Sequence, residues 1–577
     1  MLLKTIKSIS FFVLITILLQ CAENKSTGDK KQTADLVILN GNVTTMDKAN
    51  PKAKAIAIKD HHIIAVGNDD EIKSFSGENT KTIDAKGNFV MPGFIEGHGH
   101  YVGLGESMIN LNLLNTKNWQ EILDKVAEKA KTAKPGDWIM GRGWHQEKWD
   151  QPLAQQIEGY PLHDELSALT PNNPVLLSHA SGHASFANAK AMEMVGINKE
   201  TPDPSGGAII RDQRGNPIGV FEERAEDALW SAWGEFYNKL SPEEQKANWL
   251  EKIRAAEKEC LSKGITSFQD AGLKFQDLKW LRELAEAEEL NVRLWVMIRH
   301  SYEEMKGKLD NYPWLDLGDH FLSVKAIKTE VDGALGSRGA WLLEAYHDKP
   351  GFHGQNTTTI EEVKNIASLA NQYNLQLCVH AIGDRANREV LDIFEKNFKA
   401  KPDKKDWRWR IEHAQHLNPE DIPRFKELNV IASMQGIHCT SDAPFVVERL
   451  GEERARDGAY AWRALLDEGV VIANGTDAPV EDVSPIASYY ASVTRKRADS
   501  GMEFFTEQAM TREEALYSYT LGNAYAGFEE KDKGSLEVGK LGDVVILSED
   551  LLTCEDGKIL GTEVLWTIVG GEVKVGE

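Results

Sequence analysis

The run Phe89-Val-Met-Pro-Gly-Phe-Ile-Glu-Gly-His-Gly-His100 constrains this chain more than any other stretch. It reads as a short buried strand, Phe94 to Glu96, leading into two histidines one residue apart. In an extended segment residues i and i+2 point to the same side. His98 and His100 therefore aim both imidazoles at one point, as a metal ion requires of two ligands on one strand. A lone His-x-His pair more often belongs to a polar loop, so the metal reading depends on later segments bringing further ligands to the same place.

Through the middle of the chain, short apolar strands alternate with helical stretches. Strand candidates stand at 94–98, 265–269, 292–298, 322–328, 375–380, 409–413, 429–434 and 470–474, with helical patterns such as Ile360–Gln372 and Ala386–Phe398 between them. A run of β-α units of this length predicts an α/β fold, a (β/α)8 TIM barrel spanning 91–530. The first connection, roughly 99 to 264, is far too long for one helix. It holds the strand-like pieces Trp138-Ile-Met140 and Val175-Leu-Leu177 and a Pro/Gly-rich run at 201–207, so an insertion at about 101–250 is expected to grow over the barrel mouth. Residues 35–90 and 531–577 have an all-β texture, and neither piece is large enough alone. The two termini are expected to build one small β-sandwich.

Barrels of this kind place their chemistry at the C-terminal ends of strands. Those ends carry His98-Gly-His100, then His380 after Leu377-Cys-Val, His413 after Arg410-Ile-Glu, and Asp477 after Asn474-Gly-Thr. Strand four adds Lys325 and Lys328, which strand parity sends to opposite sides. Any one of these residues alone reads as a satisfied core or mouth residue; together they predict a metal site. Imidazole and carboxylate suit zinc among the common metals, with one or two ions per chain. His416 and His61–His62 have no such placement and read as surface or supporting residues. Cys439 follows His438, but neighbours in an extended segment point apart, so the thiol reads as unreactive.

The formal net charge of -23 argues against a nucleic-acid partner, which requires a basic face. Lys4 and Lys7 precede an apolar run from Ile9 to Leu19, about the length of a signal-peptide core and too short to span a bilayer. Residues 1–20 read as a signal of the bacterial lipoprotein type with Cys21 as the lipidated residue, although Gln20 stands where a small residue is usual. Residues 21–34 read as a flexible tether. A lipid-anchored chain in the cell envelope, on the periplasmic or outer side, follows as an expectation. The other cysteines show neither CxxC spacing nor a dense framework, so a disulfide-held fold is not expected.

With these segments in view, the chain resembles the metal-dependent amidohydrolases, and more narrowly family 3, the group that includes N-substituted formamide deformylases. The resemblance rests on Met91 to His100, Ser181-Gly-His-Ala-Ser-Phe-Ala-Asn188, Asp332-Gly-Ala-Leu-Gly-Ser-Arg-Gly339, Val379-His-Ala-Ile-Gly-Asp384, Arg410-Ile-Glu-His-Ala-Gln415, Gly475-Thr-Asp-Ala-Pro-Val480 and Lys533 to Lys540. It implies that His98, His100, His380, His413 and Asp477 are metal ligands. It also implies that a strand-four lysine is carbamylated to bridge two metals, with Lys328 at the family spacing before Asp332. Glu96 departs from the aspartate usual before such a histidine pair, and Gly436 from a proline often seen there.

The activity implied is hydrolysis of a non-peptide, formamide-like carbon–nitrogen bond in a small molecule by metal-activated water, with Asp477 as base and then acid. The alternatives are a deaminase, a cyclic-amide hydrolase, or a non-catalytic binding lipoprotein. His183 and Arg338 are candidates to orient substrate, and Trp144, Trp149 and Trp341 to line an apolar pocket. A homo-oligomer is compatible with all of this.

Overall fold

The computed structural model describes residues 32–576 apart from 115, 147–148, 180–183 and 205–206. The expected signal peptide, Cys21, most of the tether and His183 lie outside the described residues.

Eight parallel strands follow one another in chain order around the centre: β1 (Phe94–Gly99), β2 (Ile265–Leu273), β3 (Arg293–Ile298), β4 (Leu322–Glu330), β5 (Gln376–Ala381), β6 (Arg410–His413), β7 (Ile431–Gln435) and β8 (Ile472–Gly475). Helices pack outside them, so both strand faces are buried and the sequence runs apolar rather than alternating. β3, for example, is buried at every residue from Arg293 to Ile298. Ala271, Trp295, Met297, Ala326 and Cys378 form a separate cluster inside the barrel.

Between β8 and β1, side chains supplement the backbone. The Asn523 amide donates to Ile95 O at 2.5 Å and to Asn474 O at 2.8 Å, strapping the two strands together. Glu96 Oε1 accepts from Thr476 N at 2.6 Å. Above it, Asp477 N donates to His98 O and His100 N to Ala478 O, each at 2.7 Å. The approach is close enough to require glycine: a Cβ on Gly475 would stand 2.4 Å from Glu96 Oε1 and 2.5 Å from His98 N.

The two ends of the chain meet in two further sheets. One consists of Leu36–Leu39, Ala55–Lys59, His62–Gly67 and Lys81–Asp84. The other mixes Asn42–Thr44, Lys52–Ala53 and Phe89–Pro92 with Val544–Leu547, Val564–Val569 and Glu572–Val575. The seam is antiparallel, with Val545 opposite Met91 and Ile546 opposite Val90. One apolar core joins Leu36, Ile38 and Ile56 from the first segment to Val544, Ile546 and Ile568 from the last.

The insertion folds around its own six-stranded sheet, which includes Ile139–Trp144, Val175–His179, Ala184–Ala187 and Pro217–Glu223. It touches the barrel mouth directly, with Arg142 Nη1 donating to Pro479 O at 3.0 Å in the loop after β8.

Barrel and sandwich are locked by a buried ion pair. Arg293, at the start of β3, donates from Nε and Nη2 to Asp543 at 2.8 and 3.1 Å, and both side chains are almost fully buried. Asp543→Ala would leave that guanidinium buried without its anion. The expected cost is about 3–5 kcal/mol, read as a lower urea midpoint, and much of it should return in Asp543→Ala/Arg293→Met.

Candidate active site

β1 ends with both histidines turned toward β8. His98 is fully buried, and His100 is about a third exposed at its side chain. Their Nε2 atoms lie 3.5 and 3.2 Å from Asp477 Oδ1. His413 arrives from β6, its ring 4.8 Å from that of His98 and 4.4 Å from that of His380 on β5. The five ligand candidates read at the strand ends therefore gather at one point. Two of them sit in the left-handed backbone region, His413 at φ 73° and Asp477 at φ 58°. Such backbone geometry costs energy in a non-glycine residue and is found where surrounding structure imposes it, typically at functional sites.

The centre is rich in buried polar atoms with no hydrogen-bond partner among the described residues: His98 Nε2, His380 Nε2, Asp477 Oδ1 and His438 Nε2. Buried polar groups are normally satisfied. The ligand atoms of His98, His100 and Asp477 lie within 4.8 Å of one another, as do those of His413, His438 and Asp477. This donor set fits a divalent cation of the zinc type.

The protonation states suit ligation. Burial pushes the His380 imidazole down to about 3 and holds that of His413 well below its ordinary value. Burial pushes Asp477 upward, but the adjacent imidazoles of His100 and His98 outweigh it and hold the carboxyl well below the usual range. Burial also drives the Lys328 ammonium toward its neutral form, against the pull of Glu412 and Asp477. Lys325 lies apart from this cluster, its Nζ 5.6 Å from the centre of the Phe528 ring.

Residues behind the ligands hold them in place. Glu412 meets His98 Nδ1 on one side and Arg410 Nε at 2.7 Å on the other. Burial opposes its ionisation, yet Arg410 and His98 keep it well below the ordinary carboxylate value. Gln435 Oε1 lies 2.7 Å from His413 Nδ1. Asp332 accepts backbone N–H groups from Ile382, Gly383 and Trp341 at 2.7–2.9 Å, and burial raises it to about 7. Glu96 is raised to about 8 by burial.

Other expectations need correction. Arg338 was expected to orient substrate, but its guanidinium is engaged with Asp348, at 2.5 Å from Nη2 and 3.1 Å from Nε. Trp144 is fully buried in the insertion's apolar core, and its Nε1 donates to Leu177 O at 2.8 Å, so it serves packing rather than an open pocket wall. Of the two readings of His416, surface or supporting, burial removes the first: it lies beside Tyr460, and burial lowers it to about 3. Cys439 is buried with its thiol pushed up to about 11, consistent with an unreactive thiol.

Sequence reasoning did not single out Glu412 or give His438 a place at the centre. Strand alternation would set Glu412 opposite its neighbour His413. The left-handed turn at His413 breaks that alternation and lets both contribute to the centre. For Glu412 the available signal was Arg410 two residues earlier, a charge that a barrel strand can bury only with a partner.

The sequence profile of the amidohydrolase family matches residues 81–575. The chain belongs to the amidohydrolase family. The Arabidopsis thaliana protein LONG AFTER FAR-RED 3 is 33% identical over 93% of this chain and 91% of its own. The N-substituted formamide deformylase of Arthrobacter pascens is 27% identical over 94% of this chain and 98% of its own. A crystal structure of an uncharacterized metal-dependent hydrolase from Pyrococcus horikoshii superposes with a TM-score of 0.73 at 26% identity, covering 90% of this chain and 99% of that one. As an amidohydrolase, the protein is a metal-dependent hydrolase acting on carbon–nitrogen bonds other than peptide bonds.

In this amidohydrolase Glu412 fixes which nitrogen of His98 faces the centre. Glu412→Gln is expected to weaken metal binding roughly 10–100-fold while the chain stays folded. Titrating metal-free protein with zinc measures this, and an unchanged affinity would remove Glu412 from the centre.

Proposed function

We propose that this protein hydrolyses a formamide-like amide of a small molecule. The observation that carries the reading is the gathering of His98, His100 and His413 around Asp477, with the His380 ring against His413, where several buried polar atoms are orphaned. The resemblance to an N-substituted formamide deformylase supports the choice of bond. Bound here, one or two divalent cations, zinc by donor type, supply Lewis acidity that lowers the pKa of water and polarises a carbonyl.

The chain's own groups do the rest. Asp477 is held ionised, so its Oδ1 takes the proton of the attacking water and then passes it to the leaving nitrogen. The rings of His98 and His413 are fixed by Glu412 and Gln435, so no reorientation is needed when substrate enters. Lys328, driven toward a free amine, reacts with carbon dioxide to give a carbamate and a proton. A carbamate at Lys328 would offer two oxygens to hold two such ions.

Zinc-loaded protein is expected to release the free amine from N-formyl amines, and a chelator to abolish this. Turnover confined to ring amidines or cyclic amides would overturn the formamide reading. Lys328→Ala is expected to lose activity and much of its bound metal, whereas Lys325→Ala keeps both. A Lys328→Ala protein with wild-type metal per chain would exclude the carbamate bridge.

The first 21 residues support a lipid anchor at Cys21 and a location in the cell envelope of a bacterium. Labelling with a radioactive fatty acid is expected to mark wild type and not Cys21→Ser; equal labelling of the two would exclude the anchor.

A further inference from the structure

One histidine at the centre has no part in the ligand set read from the strand ends. His438 lies on the short helix Gly436–Ser441, immediately after β7. It is 7% exposed, and its Nε2 is buried without a hydrogen-bond partner among the described residues. The ligand atoms of His413, His438 and Asp477 lie within 4.8 Å of one another, and the ring lies nearly parallel to that of His413, 6.3 Å away at 13°.

The other face of the ring bears on the tautomer. The buried Gln415 amide donates from Nε2 to His438 Nδ1 at 3.4 Å. An amide N–H only donates, so in this pairing Nδ1 accepts and Nε2 carries the ring proton. An N–H donor is then set among the buried polar atoms around Asp477, beside the place the amide-hydrolysis reading gives the substrate.

We propose that His438 is a catalytic residue: its Nε2–H donates to the substrate's carbonyl oxygen and stabilises the negative charge that develops there. This rests on the amide-hydrolysis reading above. In the addition step the water oxygen bonds to the carbonyl carbon, the π pair moves onto the carbonyl oxygen, and the water proton goes to Asp477. In the collapse step that pair returns, the carbon–nitrogen bond breaks, and the nitrogen takes the proton from Asp477. His438 keeps its proton throughout and contributes only the hydrogen bond, strongest when the oxygen is most negative.

The experiment uses zinc-loaded full-length protein and three variants, His438→Phe, His438→Gln and Gln415→Leu. It reads metal per chain, kcat and KM on an N-formyl amine, and the affinity for methylphosphonate, a tetrahedral oxyanion, against that for acetamide, a planar amide. Expected for His438→Phe is wild-type metal content, a fall in kcat of about 10²–10³, a KM changed only a few-fold, and a loss of methylphosphonate affinity much larger than the loss for acetamide. His438→Gln, which retains an N–H donor, should recover part of kcat, and Gln415→Leu should show a smaller loss in the same direction. A His438→Phe protein that loses metal would make His438 a ligand and overturn the proposal. Wild-type kcat and methylphosphonate affinity would overturn it equally. If wild type hydrolyses no amide, the reading of the function fails, and the inhibitor comparison alone still decides the role of His438.

Discussion

A guanidinium buried inside the barrel underlies the rest of this structure. Arg410 is fully buried on β6, yet its Nη groups reach Gln269 on β2, Gly97 O on β1 and Ser433 on β7 at 2.5–2.7 Å. A charge so far from water is tolerable only if it is paired and fully hydrogen-bonded. Glu412 provides the pair, and Glu412 is also the partner of His98. The network that makes Arg410 tolerable inside the barrel is thus the one that orients the His98 ring. Removing the arginine would release Glu412 from the influence that keeps it ionised, and His98 would lose its anchor with it.

The closing seam of the barrel carries a second coupling between fold and chemistry. β1 and β8 are drawn together by Asn523 and Glu96, and the glycine at 475 permits the approach. The same approach brings Asp477 N onto His98 O and sets the Asp477 carboxylate against both β1 histidines. The left-handed backbone falls on His413, the last residue of β6, and on Asp477, just beyond β8. There the ladder no longer dictates direction, and a turn can aim side chains inward at a cost the packed barrel can bear.

Much of this was legible in the sequence because buried parallel strands are written as apolar runs of limited length, and each of the expected runs became a barrel strand. The ligand candidates could be picked out for the same reason: strand ends are easily located, and histidine and aspartate are uncommon there without cause. What escaped depends on breaks in regularity. Arg338 looked available because its aspartate partner, Asp348, stands in an irregular loop whose path no periodicity marks. His438 was judged by the alternation of a strand, but the chain turns into a helix at Gly436 and carries the ring back to the centre. Trp144 shows the opposite limit: an aromatic beside a mouth and an aromatic in a core read alike until the insertion's sheet is seen.

The charge inside the centre links Lys328 to the number of ions. Arg410 and Glu412 offset one another, and burial favours the neutral forms of Asp332 and Glu96, raised to about 7 and about 8. Burial likewise favours neutral His380 and His413, and Asp477 contributes one negative charge. A second divalent ion would add two more positive charges to a poorly screened interior. An ammonium at Lys328 would deepen the imbalance. A carbamate there reverses its sign and adds two anionic oxygens within the same side-chain reach. If Lys328 is carbamylated as proposed, burial that disfavours the lysine's charge is the condition under which a second ion would become electrostatically tolerable, and Lys328 rather than the histidines would decide the metal stoichiometry.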